Sequence, residues 1–413
     1  MSLTGEVHKI RQDIERWARS YGLDFFKTIF ELVDVNQLSE IAAYGGFPTR
    51  YPHWRFGMDF DQIAKGHDYG LHKIYELVIN NDPCYAYLMR NNSLVDQKIV
   101  IAHVFAHGDF FKNNAWFKQT HRKMMDKMGN HATKVKYYCE KYGCEEIENF
   151  IDICLSIENL CDIYHPYSPS EVLKKSKDVV GFLLYHAPLE DWQHEVIKII
   201  YEESTYFIPQ AQTKIMNEGW ASYWHSKILT EKALKDTEVI DFADHHAGTL
   251  AVRPGQINPY KLGIELFRDI ERRWSRDKIF QVRKLYNDIT FIDEYLTEEF
   301  CEKQKLFVYA YNKRNGTYEI VDRDYKKIKE KLLFSLTNLG HPLIYVSDGN
   351  YLGNGSLLLM HDHQEIDQKI PETKATLERI FELWKKNVCL ETRVNGERRL
   401  LIYTGKEHQE KSL

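Results

Sequence analysis

Two kinds of pattern divide the chain. From residue 1 to about 297 the apolar positions follow helical spacing and strand-like alternation is rare, whereas from Lys305 onward alternating runs take over. LFVYAY (306–311) and TYEIV (317–321) flank NKRNG, whose Asn315-Gly316 pair is a strong hairpin signal. A helix, RDYKKIKEKLLFSLTNLG, follows with Gly340 as its C-cap, and then come strands PLIYV and GSLLLMH. A second helix, TKATLERIFELWKK, leads to a last hairpin, VCLETRV and RRLLIYT, turned by Asn395-Gly396. The expected architecture is a mainly α N-terminal domain, residues 1–297, followed by a small α+β C-terminal domain, residues 298–413.

Chemistry is to be sought in the helical part. Ser93 and Asp96 stand in the relation of a capping box, which predicts a helix from about Leu94. On it His103 and His107 lie one turn apart, sharing a largely apolar face with Ile99, Phe110 and Asn114. Histidines at i and i+4 can put two ring nitrogens on one metal ion; the alternative is a pair of core imidazoles bonded to backbone or asparagine. The HExxH signature of zinc peptidases needs a glutamate after the first histidine, and Val104 stands there instead. A further helix, bounded by Pro188 and Pro209, carries Glu203 on the apolar stripe of Trp192, Val196, Ile199 and Tyr206. A carboxylate facing a core needs a cation, a metal or several donors, which makes Glu203 a candidate unless it reaches the rim or an arginine.

The run TKIMNEGWASYWHSKIL is helical, and Glu218, Ser222 and His225 recur on one face. Glu218 and His225 could complete the site that the two histidines begin, an N/O set suited to zinc or another divalent transition metal. The plainer reading is a helix interrupted at Gly219 and packed through Trp220 and Trp224. Loops are expected at 45–61 and 241–274, carrying Arg50, His53, Arg55, His245, His246 and Arg253 among aromatic residues. Guanidinium groups at that density can line a pocket for an anionic or sugar-like ligand, with Asn114 at its edge; a structural wrap around the core is the alternative. His246 and Asp241 are the loop residues best placed to approach a metal.

Composition narrows the classes. With 43% hydrophobic and 28% charged residues in 413, the chain folds and buries a core. A net charge of −5 argues against nucleic-acid binding over a broad face. Neither a membrane-spanning run nor a secretory leader is recognisable, so a cytoplasmic location is expected. The seven cysteines lack C-x-x-C pairs, so Cys139, Cys144, Cys154 and Cys161 are expected to be core thiols rather than a zinc site. No P-loop, G-x-G-x-x-G or G-x-S-x-G motif occurs.

The runs FPTRYPHWRFGMDFD, NDPCYAYLMRNN, HVFAHGDFFKNNAWF, PQAQTKIMNEGWASYWH and INPYKLGIELFRDIERRW resemble the SpoVR family, the stage V sporulation protein R-like proteins, over most of residues 40–275. That likeness implies a role in forming spore cortex, a modified peptidoglycan, and relatives found beside a PrkA-type serine kinase imply a stress or signalling role. NEGWASYW is in addition similar to the NEGFA or EGWA helix of gluzincin metallopeptidases, which implies a zincin-like helical core with His103, His107 and Glu218 as metal ligands. With Val104 in the position of the base, Asp109 or Glu203 is the expected proton acceptor, Glu203 alternatively a fourth ligand. The expectation that follows is a metal-dependent hydrolase acting on an amide or related bond in peptidoglycan or a precursor. A non-enzymatic adaptor for the kinase is the second reading.

Overall fold

The structure is a computed structural model that describes residues 5–68, 77–164, 176–252 and 255–413. It is mainly helical with a sheet-bearing C-terminal region, and its residues gather into two compact units, each made from two stretches of chain. The first unit contains residues 1–130 and 209–337, the second residues 131–208 and 338–413. The mixed tail expected from 298 onward is thus shared between the units rather than standing alone. Its first hairpin, Val308–Asn312 with Thr317–Asp322, and the helix Tyr325–Leu336 stay with the first unit, because Ile328 and Leu332 of that helix enter the first unit's core.

At the centre of the first unit lies the helix Leu94–Asn113, started by Ser93, whose hydroxyl accepts the Asp96 N–H at 3.1 Å. A single apolar stripe was the expectation, but Val95 and every residue from Gln97 to Phe111 are buried. A helix apolar all round belongs inside, and neighbours enclose this one: the helices Gly5–Ser20, Lys214–Ile228 and Arg276–Leu285, and the strand Cys84–Met89. That strand pairs in parallel with Thr28–Val33 and antiparallel with Leu77–Ile79, a small sheet within the region that shows few strand signals.

Two segments expected as loops are helical in part. Trp54–Asp68 forms a helix, and the 241–274 stretch holds the end of Val239–Thr249 and all of Pro259–Arg273, the latter opened by Asn258 as cap and Pro259 at its first turn. Pro209 does not end the preceding helix, which runs from Asp191 to Gln212 with the proline inside it.

In the second unit a five-stranded sheet keeps the order of the chain: Ile344–Tyr351, Ser356–His361, Val388–Val394, Glu397–Tyr403 and His408–Ser412. The second and third strands are parallel, which requires a crossover, and the helix Ile370–Trp384 supplies it. Asn395 and Gly396 both have positive φ, 52° and 81°, as the two-residue hairpin turn demands. Cys139, Cys154 and Cys161 are buried free thiols and Cys144 is exposed.

Candidate metal centre

The helices Leu94–Asn113 and Lys214–Ile228 pack side by side and bring His103, His107 and Glu218 together, 3%, 4% and 6% exposed. Glu218 Oε2 lies 3.4 Å from Nε2 of His103 and 3.4 Å from Nε2 of His107, and one nitrogen or oxygen of each residue lies within 4.8 Å of the others. Two atoms that each stand about 2.0–2.1 Å from a tetrahedral ion are about 3.3 Å apart, so these separations suit a shared ion. Among the described residues no other group of three or more His, Cys, Asp or Glu comes as close together, and the four clustered cysteines do not.

What stands behind each imidazole decides which nitrogen it offers to the cluster. His107 Nδ1 donates to Asn217 Oδ1 at 2.8 Å, which leaves the lone pair on Nε2 directed at Glu218. His103 Nδ1 lies 2.7 Å from His225 Nδ1, and His225 Nε2 lies 3.1 Å from His246 Nδ1. One proton pattern satisfies this chain of neutral rings with His103 Nε2 unprotonated: His103 donates from Nδ1 to His225, and His225 donates from Nε2 to His246. For His225 and His246 the neutral ring is what the surroundings favour. Burial, followed by the charges of His103 and His246, holds His225 well below the usual imidazole range. Burial and Arg268 push His246 down to about 4.

Burial alone would raise the carboxyl of Glu218. Hydrogen bonds from His103 and His107 when their Nε2 atoms carry protons, together with the charge His107 then has and that of Lys214, outweigh it and hold the group well below the ordinary carboxylate range; this pull on the carboxylate is the one an ion would exert in their place. Its second oxygen, Oε1, accepts from Lys214 Nζ at 2.6 Å, so the side chain is fixed at both ends. The Lys214 ammonium also sits 5.9 Å over the ring of Tyr260, whose centroid is 6.3 Å from that of His103.

The helix bearing Glu218 is capped from far along the chain. Thr213, at its N-cap, makes no side-chain bond there; instead Asp288 accepts the N–H groups of Ile215 at 2.8 Å and Met216 at 2.9 Å. Burial raises the Asp288 carboxyl to about 7, against the pull of these two bonds. Replacing Asp288 with alanine strands two buried donors, and we expect it to cost about 2–3 kcal/mol of stability, read as a lower urea midpoint with an unchanged slope.

Several residues expected at the site are placed elsewhere. Asp109 is fully buried on the opposite face of its helix from His107, where Oδ1 accepts the Asp24 N–H at 2.8 Å and Oδ2 the Trp220 indole at 2.9 Å, with Arg283 beside it at 3.2 Å. Its carboxyl is engaged in holding three elements together and is not a base for the cluster. Glu203 belongs to the second unit and pairs with His131 Nδ1 at 2.9 Å, so its cation is an imidazole rather than a metal. His225 backs His103 instead of joining the ligand atoms. Asn114 caps the turn at Trp116 and donates to the carbonyls of Arg283 and Tyr286, all structural bonds. Arg50 donates to the Tyr44 carbonyl and lies 4.8 Å over Phe56, while His53 Nδ1 accepts the Arg55 N–H. Asp241 is exposed, and Arg253 lies outside the described residues. Sequence reasoning passed over Asn217, Lys214, Tyr260 and Asp288; the one available signal was that Asn217 and Lys214 share the NEGWASYW helix with Glu218.

A helical unit with two histidines one turn apart on one helix and a glutamate on its neighbour defines a class with a conventional metal-ligand set. The chain belongs to the SpoVR-like family: the family model described as "SpoVR like protein" matches residues 3–176 and 171–341. It is similar to "Uncharacterized protein YcgB" of Escherichia coli (strain K12), 28% identical over 464 residues, covering 92% of this chain and 90% of that protein. No solved structure matches it. Among the described residues no helix is long and apolar enough to cross a membrane.

Proposed function

We propose that the chain is a metal-dependent hydrolase whose centre is held by Nε2 of His103, Nε2 of His107 and Oε2 of Glu218, with zinc or another divalent transition metal as the ion. The observation that carries this reading is the pair of 3.4 Å separations from Glu218 Oε2 to two imidazole nitrogens whose other nitrogens are already bonded. Three protein ligands are the number found where a metal keeps a position for water or substrate; a closed structural site uses four. The ion would supply Lewis-acid polarisation of a carbonyl and activation of water.

The chain's own residues define what is done around that ion. Asn217 and the His225–His246 pair hold the two imidazoles in the tautomer that ligates. Lys214 keeps one oxygen of Glu218 occupied and so directs the other inward, and its largely exposed ammonium offers a positive charge beside the centre for an acidic substrate group. Muropeptides, with amide bonds and free carboxylates, have that chemistry, and the spore-cortex role that the family name carries points to the same class: peptidoglycan or a cytoplasmic precursor.

A second reading is favoured by one observation. Val104, in the position of the usual base, is wholly buried, and Asp109 and Glu203 are both engaged elsewhere, which suits an adaptor whose metal or polar cluster is structural and whose partner is a PrkA-type serine kinase. One assay separates the two. Zinc-loaded chain is incubated with muropeptides and the products are followed by mass spectrometry, with Glu218→Gln alongside. The hydrolase reading expects cleavage that falls by more than the roughly 10–100-fold brought by losing a hydrogen-bond partner behind a ligand. No cleavage by chain that retains its metal would leave the adaptor.

A further inference from the structure

The first unit contains a cavity of about 390 Å³ to which none of the residues around Glu218 contributes. Its size falls at the small end of the roughly 300–1,000 Å³ typical of small-molecule pockets. Leu262, Phe300, Ile328 and Leu332, all at most 6% exposed, give it an apolar floor. The segment that begins the hairpin, from Leu306 to Tyr309, forms one wall. Another wall is the turn before the helix Pro259–Arg273, and it is set in place by Asn258, whose amide donates to the carbonyls of Thr249 at 2.8 Å and Ala251 at 2.9 Å.

Charge gives the cavity its chemistry. Lys261, Lys305 and Lys331 line it, and among the described residues no aspartate or glutamate does, in a chain whose net charge is −5. Among the described residues neither Lys261 nor Lys331 makes an ion pair, whereas lysines nearby in the chain, such as Lys327 and Lys329, are paired with Asp322 and Asp293. Ammonium groups beside a low-dielectric surface and without a counter-charge favour an anion that also covers that surface.

We propose that this cavity binds a small amphipathic carboxylate, its apolar body over Leu262, Phe300 and Leu332 and its head at Lys261 and Lys331. Neither a metal nor hydrolytic activity is needed for this, so the proposal stands or falls apart from the reading above. The test is calorimetric titration of the full chain with decanoate below its micelle-forming concentration, with decanol as the neutral match. Wild type is expected to bind one decanoate at least about tenfold more tightly than decanol. In Lys261→Gln/Lys331→Gln, a change to side chains at the rim that leaves the apolar floor intact, the two affinities are expected to converge. Ser335→Trp, which fills the cavity from its wall, is expected to weaken both ligands about tenfold while the circular dichroism spectrum stays that of wild type. The proposal is overturned by decanoate that fails to saturate wild type, by equal affinity for acid and alcohol, or by a lysine double variant that keeps the preference.

Discussion

His103→Ala/His107→Ala, purified without an affinity tag and equilibrated with zinc, is expected to hold essentially no metal where the wild type holds one ion per chain. Apparent binding free energies of about 10–16 kcal/mol for four-ligand zinc sites correspond to about 2.5–4 kcal/mol per ligand. Losing two imidazoles therefore removes about 5–8 kcal/mol, or about 10⁴–10⁶ in affinity, and leaves only the Glu218 carboxylate. Elemental analysis and a competition titration with a chelating dye measure it. His225→Phe separates ligation from general disturbance: all three ligand atoms survive, but His103 Nδ1 loses the acceptor 2.7 Å away, and about a 10–100-fold weakening is expected. Zinc should also raise the melting temperature of wild type and leave that of the double variant unmoved, since a ligand stabilises only the state it binds. Equal zinc in wild type and double variant would falsify the ligand assignment and return the cluster to a set of mutually bonded core side chains.

The legible parts of the molecule are those that local chemistry dictates. The start of the helix at Leu94 followed from Ser93 and Asp96, and the Asn-Gly turn at 395–396 followed from the need for positive φ at both residues; the first hairpin turns where expected, but over the four residues 313–316, with positive φ at Gly316 and not at Asn315. The cluster of His103, His107 and Glu218 was legible for a related reason. Histidines at i and i+4 meet on any helix, and NEGWASYW fixes Glu218 on one of its own, so only the docking of the two helices had to be supplied. Roles that depend on a partner distant in the chain were not legible. Glu203 and Asp109 are both carboxylates facing a core, and that pattern cannot say whether the cation they meet is a metal, His131 or Arg283. His225 shares a helical face with Glu218, yet periodicity does not distinguish a ring that ligates from one that orients its neighbour. The small sheet of Thr28–Val33 and Cys84–Met89 escaped notice because its strands are short, non-adjacent in the chain and closed by a parallel pairing that no turn announces.

Gly219→Ala and Gly263→Ala are each expected to be severely destabilising, although alanine is the better helix former by about 1 kcal/mol. The two glycines sit where the helices Lys214–Ile228 and Pro259–Arg273 cross, both buried. A Cβ on Gly219 would stand 2.4 Å from the Gly263 backbone, and one on Gly263 would stand 2.1 Å from the Ile215 carbonyl oxygen. These obstacles are backbone atoms in the middle of helices, so no rotamer change relieves them and the helices must move apart. Overpacking of this kind exceeds the usual 1–3 kcal/mol for an added methylene, and a loss of about 3–5 kcal/mol is expected. Gly248→Ala is the control: that glycine is in an exposed helical position with nothing within 4 Å of a Cβ, and a gain of about 0.5–1 kcal/mol is expected there. Urea denaturation followed by circular dichroism reads all three. The consequence reaches the candidate metal centre, because Glu218 precedes Gly219 and Asn217 precedes Glu218 on the displaced helix. A Gly219→Ala chain that still folds is expected to lose zinc affinity by more than the Gly263→Ala chain, since the intruding methyl is carried by the helix of the ligand itself. A Gly219→Ala melt equal to wild type would show that the two backbones do not approach as closely as the crossing requires, and the position it gives Glu218 would fall with it.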